Sequence, residues 1–203
     1  MKNKEFLFLT IDKLLEQKES VIIGIEGRTG SGKTTLAKLL ATRYDAQIIC
    51  ADHFFLPAEK RTTERLATPG ENIDWERFIK QVKSNFPFSN EFSYDVFDCT
   101  SMSYNRKVTI KKARLYIVEG TYCMHKALRD LYDLKVFLNV SRLFQKARII
   151  KRNGEDGWAI YKEKWIPMEE RYLRSNAIKM LCDVVLEENL AIDLQKVSDS
   201  DII

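Results

Sequence analysis

Short runs of β-branched and aliphatic residues alternate along this chain with segments whose apolar residues recur at helical spacing. In residues 4–18, Leu7, Ile11, Leu14 and Leu15 fall on one face of a predicted amphipathic helix. The apolar runs predict five strands, at residues 21–25, 48–51, 115–118, 136–140 and 184–186. Because strands alternate with helices, the pattern predicts an α/β fold with a parallel sheet and right-handed crossovers.

Two stretches depart from this alternation. Residues 57–72 are polar and end in the turn signal Pro69-Gly70, which predicts a loop followed by a helix over about 74–84. Residues 86–106 mix aromatic residues with turn formers, and they either line a substrate pocket or form an irregular hairpin. We expect a substrate-side insertion at about 56–112, and a peripheral tail after about Asn189.

The composition favours one domain over residues 1–203. The chain has 203 residues with 45% hydrophobic content, enough for one well-buried α/β core and short for two. Its net charge of +4 is spread along the sequence, so we expect no nucleic-acid partner. No segment has the length of a signal peptide or a membrane span, which predicts a cytoplasmic protein without a membrane partner. A homo-oligomer is possible.

The cysteines show no C-x-x-C pair, and three of the four lie in or beside apolar runs. We expect them to be reduced core thiols. They are Cys50, Cys99, Cys123 and Cys182.

The motif with the clearest chemistry is G-R-T-G-S-G-K-T at residues 27–34. It matches G-x-x-x-x-G-K-[ST] between an apolar run and a helical pattern over 34–44, which is the sequence signature of a loop that binds a nucleoside triphosphate. Its backbone N–H groups would surround the phosphates, with Lys33 at the β- and γ-phosphates and the Thr34 hydroxyl on Mg²⁺. The predicted ATP-binding residues are Gly27, Arg28, Thr29, Gly30, Ser31, Gly32, Lys33, Thr34 and Thr35.

Two acidic residues end apolar runs that the pattern assigns to strands. Asp52 ends I-I-C-A-D, and Glu119 ends L-Y-I-V-E with Gly120 behind it. Ligands of open parallel sheets lie at the carboxyl ends of the strands, so both acids should face the phosphate loop. We predict that Asp52 accepts the proton of an attacking hydroxyl, that Lys33 is also catalytic, and that Thr34 and Glu119 hold Mg²⁺. Alternatively, either acid caps a following helix.

A helix beginning at Ser141 carries Leu143, Ala147 and Ile150 on one face and basic residues elsewhere. The glycines at 154 and 157 should break it. Basic residues on a helix that ends in glycines are typical of a lid over a triphosphate, so we predict a lid at about 141–160 with Arg148 and Arg152 as phosphate ligands. The alternative is an ordinary solvated helix face.

Further short motifs appear in a familiar order around this loop. They are A-D-H-F-F at 51–55, N-I-D-W at 72–75, Y-D at 94–95, I-V-E-G at 117–120, L-R-D-L-Y-D-L-K-V-F-L at 128–138 and C-D-V-V-L-E at 182–187. Together with the phosphate loop they resemble the uridine kinase-like branch of P-loop kinases, which includes phosphoribulokinase, bacterial pantothenate kinase and nicotinamide riboside kinase.

The resemblance implies a three-layer P-loop NTPase fold with a five-stranded parallel sheet and a helical lid. It also implies a kinase that uses ATP and Mg²⁺ to phosphorylate a small-molecule acceptor. Asp52 matches the family's base and Glu119 its magnesium-associated acid, while Asp74 matches an acid that binds sugar hydroxyls and Tyr94 an aromatic near the nucleobase.

Two positions differ from a uridine kinase. Cys99 stands where a base-reading histidine is expected, and residues 155–158 replace an E-R-G-R stretch of the lid. These differences leave the acceptor open. We expect either a nucleoside such as uridine or cytidine, or a related metabolite such as pantothenate, nicotinamide riboside or a sugar. A regulatory or NTP-hydrolysing protein, and a binding module without transfer activity, are the alternatives to a kinase.

Overall fold

A five-stranded parallel sheet forms the centre of the protein. The computed structural model describes residues 4–86 and 91–187. The strands are β1 Val21–Gly27, β2 Gln47–Cys50, β3 Phe92–Asp98, β4 Ser103–Ile110, β5 Leu115–Glu119, β6 Leu134–Leu138 and β7 Val184–Leu186. Across the sheet the order is β2, β5, β1, β6, β7, with all neighbours parallel. The predicted parallel sheet is confirmed, and each predicted strand boundary lies within two residues of the observed one.

The central position of β1 follows from its sequence. Ile23 pairs with Ile117 on β5 and with Leu134 on β6, so β1 has a parallel neighbour on each side. Val21, Ile23 and Ile25 have no exposed surface. A run of β-branched residues suits a strand that is covered on both faces.

Helices cover both faces of this sheet. They are α1 Lys4–Gln17, α2 Lys33–Tyr44, α3 Thr63–Ala67, α4 Trp75–Gln81, α5 Arg142–Ile160, α6 Ile166–Ser175 and α7 Ile178–Leu181. On one face, Leu7 and Ile11 of α1 and Leu36 and Leu40 of α2 pack against the sheet. The predicted amphipathic helix at the start of the chain is thus confirmed, and it covers one side of the sheet.

Aromatic side chains from several segments, including the insertion, pack on the opposite face. Phe54 contacts Phe78 of α4 and Tyr94 of β3, with ring centroids 4.9 and 5.1 Å apart. Tyr172 of α6 packs on Tyr122 at 4.9 Å. These contacts hold the insertion and α6 against the carboxyl half of the sheet, where the predicted site lies.

The insertion contains structure that the sequence reading missed. The polar segment after Pro57 is more than a loop, because α3 forms there, with the Thr62 hydroxyl accepting a hydrogen bond from the Arg65 N–H. The aromatic stretch forms an antiparallel hairpin of β3 and β4, irregular at Val96/Phe97. The stretch is therefore an irregular hairpin, and Cys99 in its turn also lines the cavity described below.

Helix α5 differs from its sequence pattern in two ways. Gly154 interrupts the helix with φ 74° and ψ 178°, as expected, whereas Gly157 continues it. The apolar face does not pack, since Leu143 is 75% exposed, while Gln145 and Ile149 are buried. The buried side of α5 is the one that meets the phosphate loop and α6, and polar contacts dominate there.

All four cysteines are free thiols, and Cys99 is exposed rather than buried in the core. Within residues 4–86 and 91–187, no helix combines the length and apolar character that crossing a membrane requires. The tail predicted to be peripheral, after Asn189, lies outside the described residues.

Candidate active site

The loop between β1 and α2 has a backbone that only glycine adopts easily. Gly27, Gly30 and Gly32 have φ of 153°, 77° and 98°. A Cβ on Gly27 would lie 2.4 Å from the Leu138 carbonyl oxygen, so this position also needs glycine for space. The loop leads directly into the N-terminus of α2, whose free N–H groups and dipole favour a bound anion.

Lys33 lies at the first turn of α2 and is only 8% exposed. Its Nζ donates to the carbonyl oxygens of Gly27 at 2.7 Å and Arg28 at 3.2 Å, and to the Thr121 hydroxyl at 3.4 Å. All three acceptors are neutral. Lys33 therefore brings a buried positive charge to the loop, and no carboxylate of residues 4–86 and 91–187 contacts it directly.

Asp52 and Glu119 come together because β2 and β5 are neighbours that end at the same level. Cys50, the last residue of β2, pairs with Glu119, and Asp52 follows in a short 3₁₀ helix over Ala51–Phe54. Neither of these two carboxylates serves as the N-cap of that helix. This is the convergence that acids at strand ends predict for a parallel sheet.

Both carboxyl groups are electrostatically perturbed. Burial raises the pKa of Asp52, although its carboxylate is accessible from the cavity, while Lys33 and Arg152 lower it. Burial also raises the pKa of Glu119, the Asp52 charge raises it further, and Lys33 lowers it. Two carboxylates that repel each other beside a lysine form a site that gains stability from an added cation.

Gly120 leaves the space that Asp52 occupies. Its φ is 137°, and a Cβ there would lie 2.9 Å from the Ala51 Cβ and 3.0 Å from Asp52 Oδ1. Any larger residue would push the 3₁₀ helix away from the end of β5. The glycine after Glu119 therefore sets the distance between the two acids.

The Thr34 hydroxyl donates to the Glu119 carboxylate at 3.1 Å to Oε1 and 3.3 Å to Oε2. Hydroxyl and carboxylate oxygens are the ligands that Mg²⁺ prefers, and the ion usually takes only one or two from the protein, with water and phosphate supplying the others. Residues in the described part of the chain form no cluster of three or more His, Cys, Asp or Glu with metal-site geometry. Thr34 and Glu119 thus fit a magnesium ion that arrives with a nucleotide, rather than a permanent all-protein metal site.

A cavity of about 540 Å³ joins these groups. Most of the residues predicted from the sequence line it. They are Thr29, Gly30, Gly32, Lys33, Thr34, Thr35, Asp52, Glu119, Arg148 and Arg152. The loop residues Gly27, Arg28 and Ser31 do not line the cavity. Asp74 and Tyr94, which were expected to bind the acceptor, do not line it either.

Asp74 has an internal role in this structure. Its side chain is 1% exposed and accepts from Lys60 Nζ at 2.9 and 3.0 Å. It also accepts from the Arg77 backbone N–H at 3.2 Å, as the N-cap of α4. Its oxygens are engaged in holding the insertion together.

Tyr94 is likewise turned into the core. It is 1% exposed, packs on Phe54, and its hydroxyl lies 3.1 Å from His53 Nδ1. Burial, with Arg106 and Arg77 nearby, lowers the pKa of His53 to about 4. His53 is therefore neutral near pH 7 and serves as a hydrogen-bond partner for the tyrosine.

The two predicted lid arginines approach the cavity from α5. Arg148 Nη1 donates to the Gly30 carbonyl at 2.8 Å, which joins α5 to the phosphate loop. Arg152 lies over the Tyr161 ring, 5.6 Å from its centroid, and donates to the Tyr161 hydroxyl. It also lowers the pKa of Asp52, so its charge reaches the acid side of the cavity.

Glu169 of α6 is a site residue that the sequence reading missed. Its Oε2 accepts from the Thr29 backbone N–H at 2.7 Å and the Thr29 hydroxyl at 2.8 Å, and its Oε1 accepts from Gln145 at 3.2 Å. Burial raises its pKa, and Lys33 lowers it. No sequence pattern signals this role, because the contact joins residues 140 positions apart.

Glu26, just before the phosphate loop, was also missed. It has no exposed surface and accepts from the backbone N–H groups of Gly27 at 3.0 Å and Met124 at 3.2 Å, and from the Tyr172 hydroxyl at 3.1 Å. Burial raises its pKa to about 7 against the opposing effect of Lys33. An acid inside an otherwise apolar strand was the signal that could have drawn attention to it.

Comparison with known proteins gives this site a context. No protein-family model matches the chain. A uridine kinase of Clostridium tetani is 26% identical over 200 residues, covering 87% of this chain and 93% of that protein. A uridine kinase of Clostridium botulinum is 30% identical over 147 residues, covering 66% and 68%.

A solved structure described as a possible uridine kinase from Bacillus stearothermophilus superimposes with a TM-score of 0.64 at 20% identity, covering 89% of this chain and 98% of that one. That likeness establishes the three-layer P-loop kinase fold. Since sequence relatives of the same name align over most of the chain, and the phosphate loop lies where this fold requires it, the chain belongs to the uridine kinase family of P-loop kinases.

Proposed function

We propose that this protein is an ATP-dependent kinase that transfers the γ-phosphoryl group to a hydroxyl of a nucleoside or related small metabolite. The observation that carries the proposal is that Asp52, Glu119 and Lys33 line one cavity with the phosphate loop. A phosphoryl-transfer enzyme needs this combination of a cradle for phosphate, a cation, and a carboxylate beside the acceptor.

The phosphate loop and Lys33 bind the triphosphate in this mechanism. The N–H groups at the start of α2 donate to phosphate oxygens, and Lys33 Nζ exchanges its neutral carbonyl acceptors for the β- and γ-phosphates. Thr34 and Glu119 would hold Mg²⁺, which would neutralise phosphate charge when bound with the nucleotide. The added cation would lower the pKa of Glu119 and so favour its ionised form.

Asp52 orients the acceptor hydroxyl and takes its proton. The hydroxyl oxygen forms a bond to the γ-phosphorus, the bond from that phosphorus to the bridging oxygen of ADP breaks, and the hydroxyl proton passes to the Asp52 carboxylate. Lys33 and Arg152 both favour the ionised form of Asp52. A carboxylate is a sufficient base here because proton removal comes late in a loose transition state.

Helix α5 acts as the lid in this proposal. Arg148 and Arg152 bring positive charge towards the transferred group, and Gly154 interrupts the helix at a point where an added Cβ would meet no atom within 4 Å. A helix that is interrupted at one glycine can tilt and exclude water from the cavity.

The test is phosphoryl transfer from labelled ATP to a panel of nucleosides, vitamins and sugars, using the wild type and Asp52→Asn. We expect transfer to at least one acceptor, and a loss of about 10²- to 10⁴-fold in kcat for the variant, with ATP affinity unchanged. Asp45→Asn is the matched control, because Asp45 is exposed at the far end of α2 in a left-handed conformation that asparagine tolerates. Retained turnover in Asp52→Asn would remove Asp52 from the base role, and rapid ATP hydrolysis without any acceptor would favour the NTPase alternative.

A further inference from the structure

Beyond Asp52, the cavity is lined by residues of the insertion and the loop after β5. They are Phe55, Arg61, Asn72, Cys99, Thr121 and Tyr122. Of these six, only Arg61 carries a charge at neutral pH. Two aromatic rings, an amide, a hydroxyl and a thiol make up the other contacts that an acceptor would meet there.

Arg61 is held in position without being neutralised. Its Nε donates to the Leu56 carbonyl at 2.7 Å, and its Nη2 lies 3.8 Å from Cys99 Sγ, a weak acceptor. Over residues 4–86 and 91–187, no carboxylate comes within ion-pair distance of it. Neighbouring cations of the insertion are paired, since Arg65 contacts Glu76 and Lys60 contacts Asp74.

The acid that the family resemblance assigns to acceptor hydroxyls is not available in this cavity. Asp74 is buried beneath the insertion, where Lys60 and Arg77 engage its carboxylate. The acceptor side of the cavity therefore presents a cation where a sugar-binding carboxylate was expected. A neutral polyol would leave that guanidinium without a charged partner.

Arg61 and Asp52 face a common space. Both side chains line the same cavity, and Cys99, which lies 3.8 Å from Arg61 Nη2, lines it as well. A single small molecule in this cavity can therefore contact both Arg61 and Asp52. Arg148, by contrast, contacts the phosphate loop at Gly30 and belongs to the nucleotide side.

We propose that the phosphate acceptor is an alcohol that also carries an anionic group, a carboxylate or a phosphate, and that Arg61 binds this group while Asp52 faces the hydroxyl. This inference rests on the proposed kinase function and narrows its substrate class. The contact from Nε to Leu56 fixes the guanidinium in advance, so its terminal nitrogens can donate two parallel hydrogen bonds with little loss of side-chain entropy.

Matched alcohols that share a carbon skeleton test this proposal. Glycerol, glycerate and glycerol 3-phosphate offer a neutral, a carboxylate and a phosphate form, and uridine serves as a neutral nucleoside. Each is assayed for phosphoryl transfer from ATP with wild type, Arg61→Gln and Arg61→Lys. Arg43→Gln is the matched control, because Arg43 is an exposed arginine in the last turn of α2, outside the cavity lining.

We expect the wild type to prefer an anionic member of the set. Arg61→Gln should raise its KM by about 10- to 100-fold, the value of a hydrogen-bonded charge pair, and leave the KM of neutral alcohols unchanged. Arg61→Lys should recover part of the affinity, and Arg43→Gln should match the wild type. Preference for a neutral alcohol with a KM that Arg61→Gln does not change would overturn the inference.

A binding measurement separates this inference from the kinase proposal. Thermal unfolding is followed with inorganic phosphate or glycerate added, while a non-hydrolysable ATP analogue and Mg²⁺ saturate the phosphate loop. A rise in Tm that Arg61→Gln abolishes and Arg43→Gln preserves supports the anion site even if no acceptor is phosphorylated, in which case the kinase proposal alone fails. No such rise in the wild type, together with no transfer to an anionic alcohol, refutes the anion site.

Discussion

The buried carboxyl group of Glu26 makes the stability of this protein depend on pH in a calculable way. Glu26 has an ordinary pKa of 4.5 in the unfolded chain, and burial raises it to about 7 in the folded one. Between these values the folded state keeps a proton that the unfolded state has lost. The free energy of unfolding must therefore fall as pH rises from about 4.5 to about 7.

The size of this stability loss follows from the difference between the two pKa values of Glu26. One pKa unit corresponds to about 1.4 kcal/mol, so ionisation of Glu26 removes about 3 kcal/mol of stability across this range. In Glu26→Gln this pH-dependent loss disappears. An amide has only one oxygen, so the variant leaves the N–H of either Gly27 or Met124 facing another donor, which costs about 1–3 kcal/mol at every pH.

The assay is urea unfolding of wild type and Glu26→Gln from about pH 5 to 8, followed by tryptophan fluorescence. At pH 5 the variant should have a lower free energy of unfolding than the wild type. Towards pH 8 the wild type should lose about 3 kcal/mol relative to the variant. Groups that titrate in both proteins cancel in this difference. Glu59→Gln, at an exposed position, corrects for the removal of one negative charge. A difference that stays constant from pH 5 to 8 would refute the reasoning.

Two further predictions concern the site. Lys33→Ala should lower kcat by about 10²-fold or more, because it removes a preorganised charge at the phosphates, and a wild-type rate in single-turnover assays would contradict that role. Gly120→Ala should displace Asp52, since the added Cβ would lie 3.0 Å from its Oδ1 at a φ of 137°. A loss of about 10²-fold in transfer with nucleotide affinity intact is expected, and steady-state kinetics beside a nucleotide-binding titration would show whether only the acceptor side is affected.

Several features of the protein were determined by local sequence alone. The phosphate loop needs glycines at fixed offsets, a lysine and a threonine. This spacing forms a phosphate-binding loop wherever a strand precedes it and a helix follows. The acids at the ends of β2 and β5 were predicted to converge because strands of a parallel sheet end at one edge. Both inferences depend on short-range geometry that is the same in every parallel sheet.

The acceptor side depended on contacts between distant segments. Asp74 and Tyr94 matched family motifs, yet Lys60, Arg77 and the aromatic core withdraw both from the cavity. A motif specifies which residue is present, and the packing of the insertion decides where its side chain lies. The sequence alone does not indicate whether Asp74 binds Lys60 or a substrate.

Packing also decides where the side chains of α5 and α6 lie. Leu143 belongs to the apolar pattern of its helix but is exposed, whereas Gln145 is buried because Glu169 and the phosphate loop lie on that side. What the sequence by itself determined was the sheet, the phosphate loop and the two acids, since each follows from periodicity or fixed spacing. Only the tertiary structure decided which charges remain unpaired in the cavity, because pairing depends on which side chains the folded chain brings together. Some partners lie 14 residues apart, as Lys60 and Asp74 do, and others more than a hundred, as Arg28 and Glu170 do.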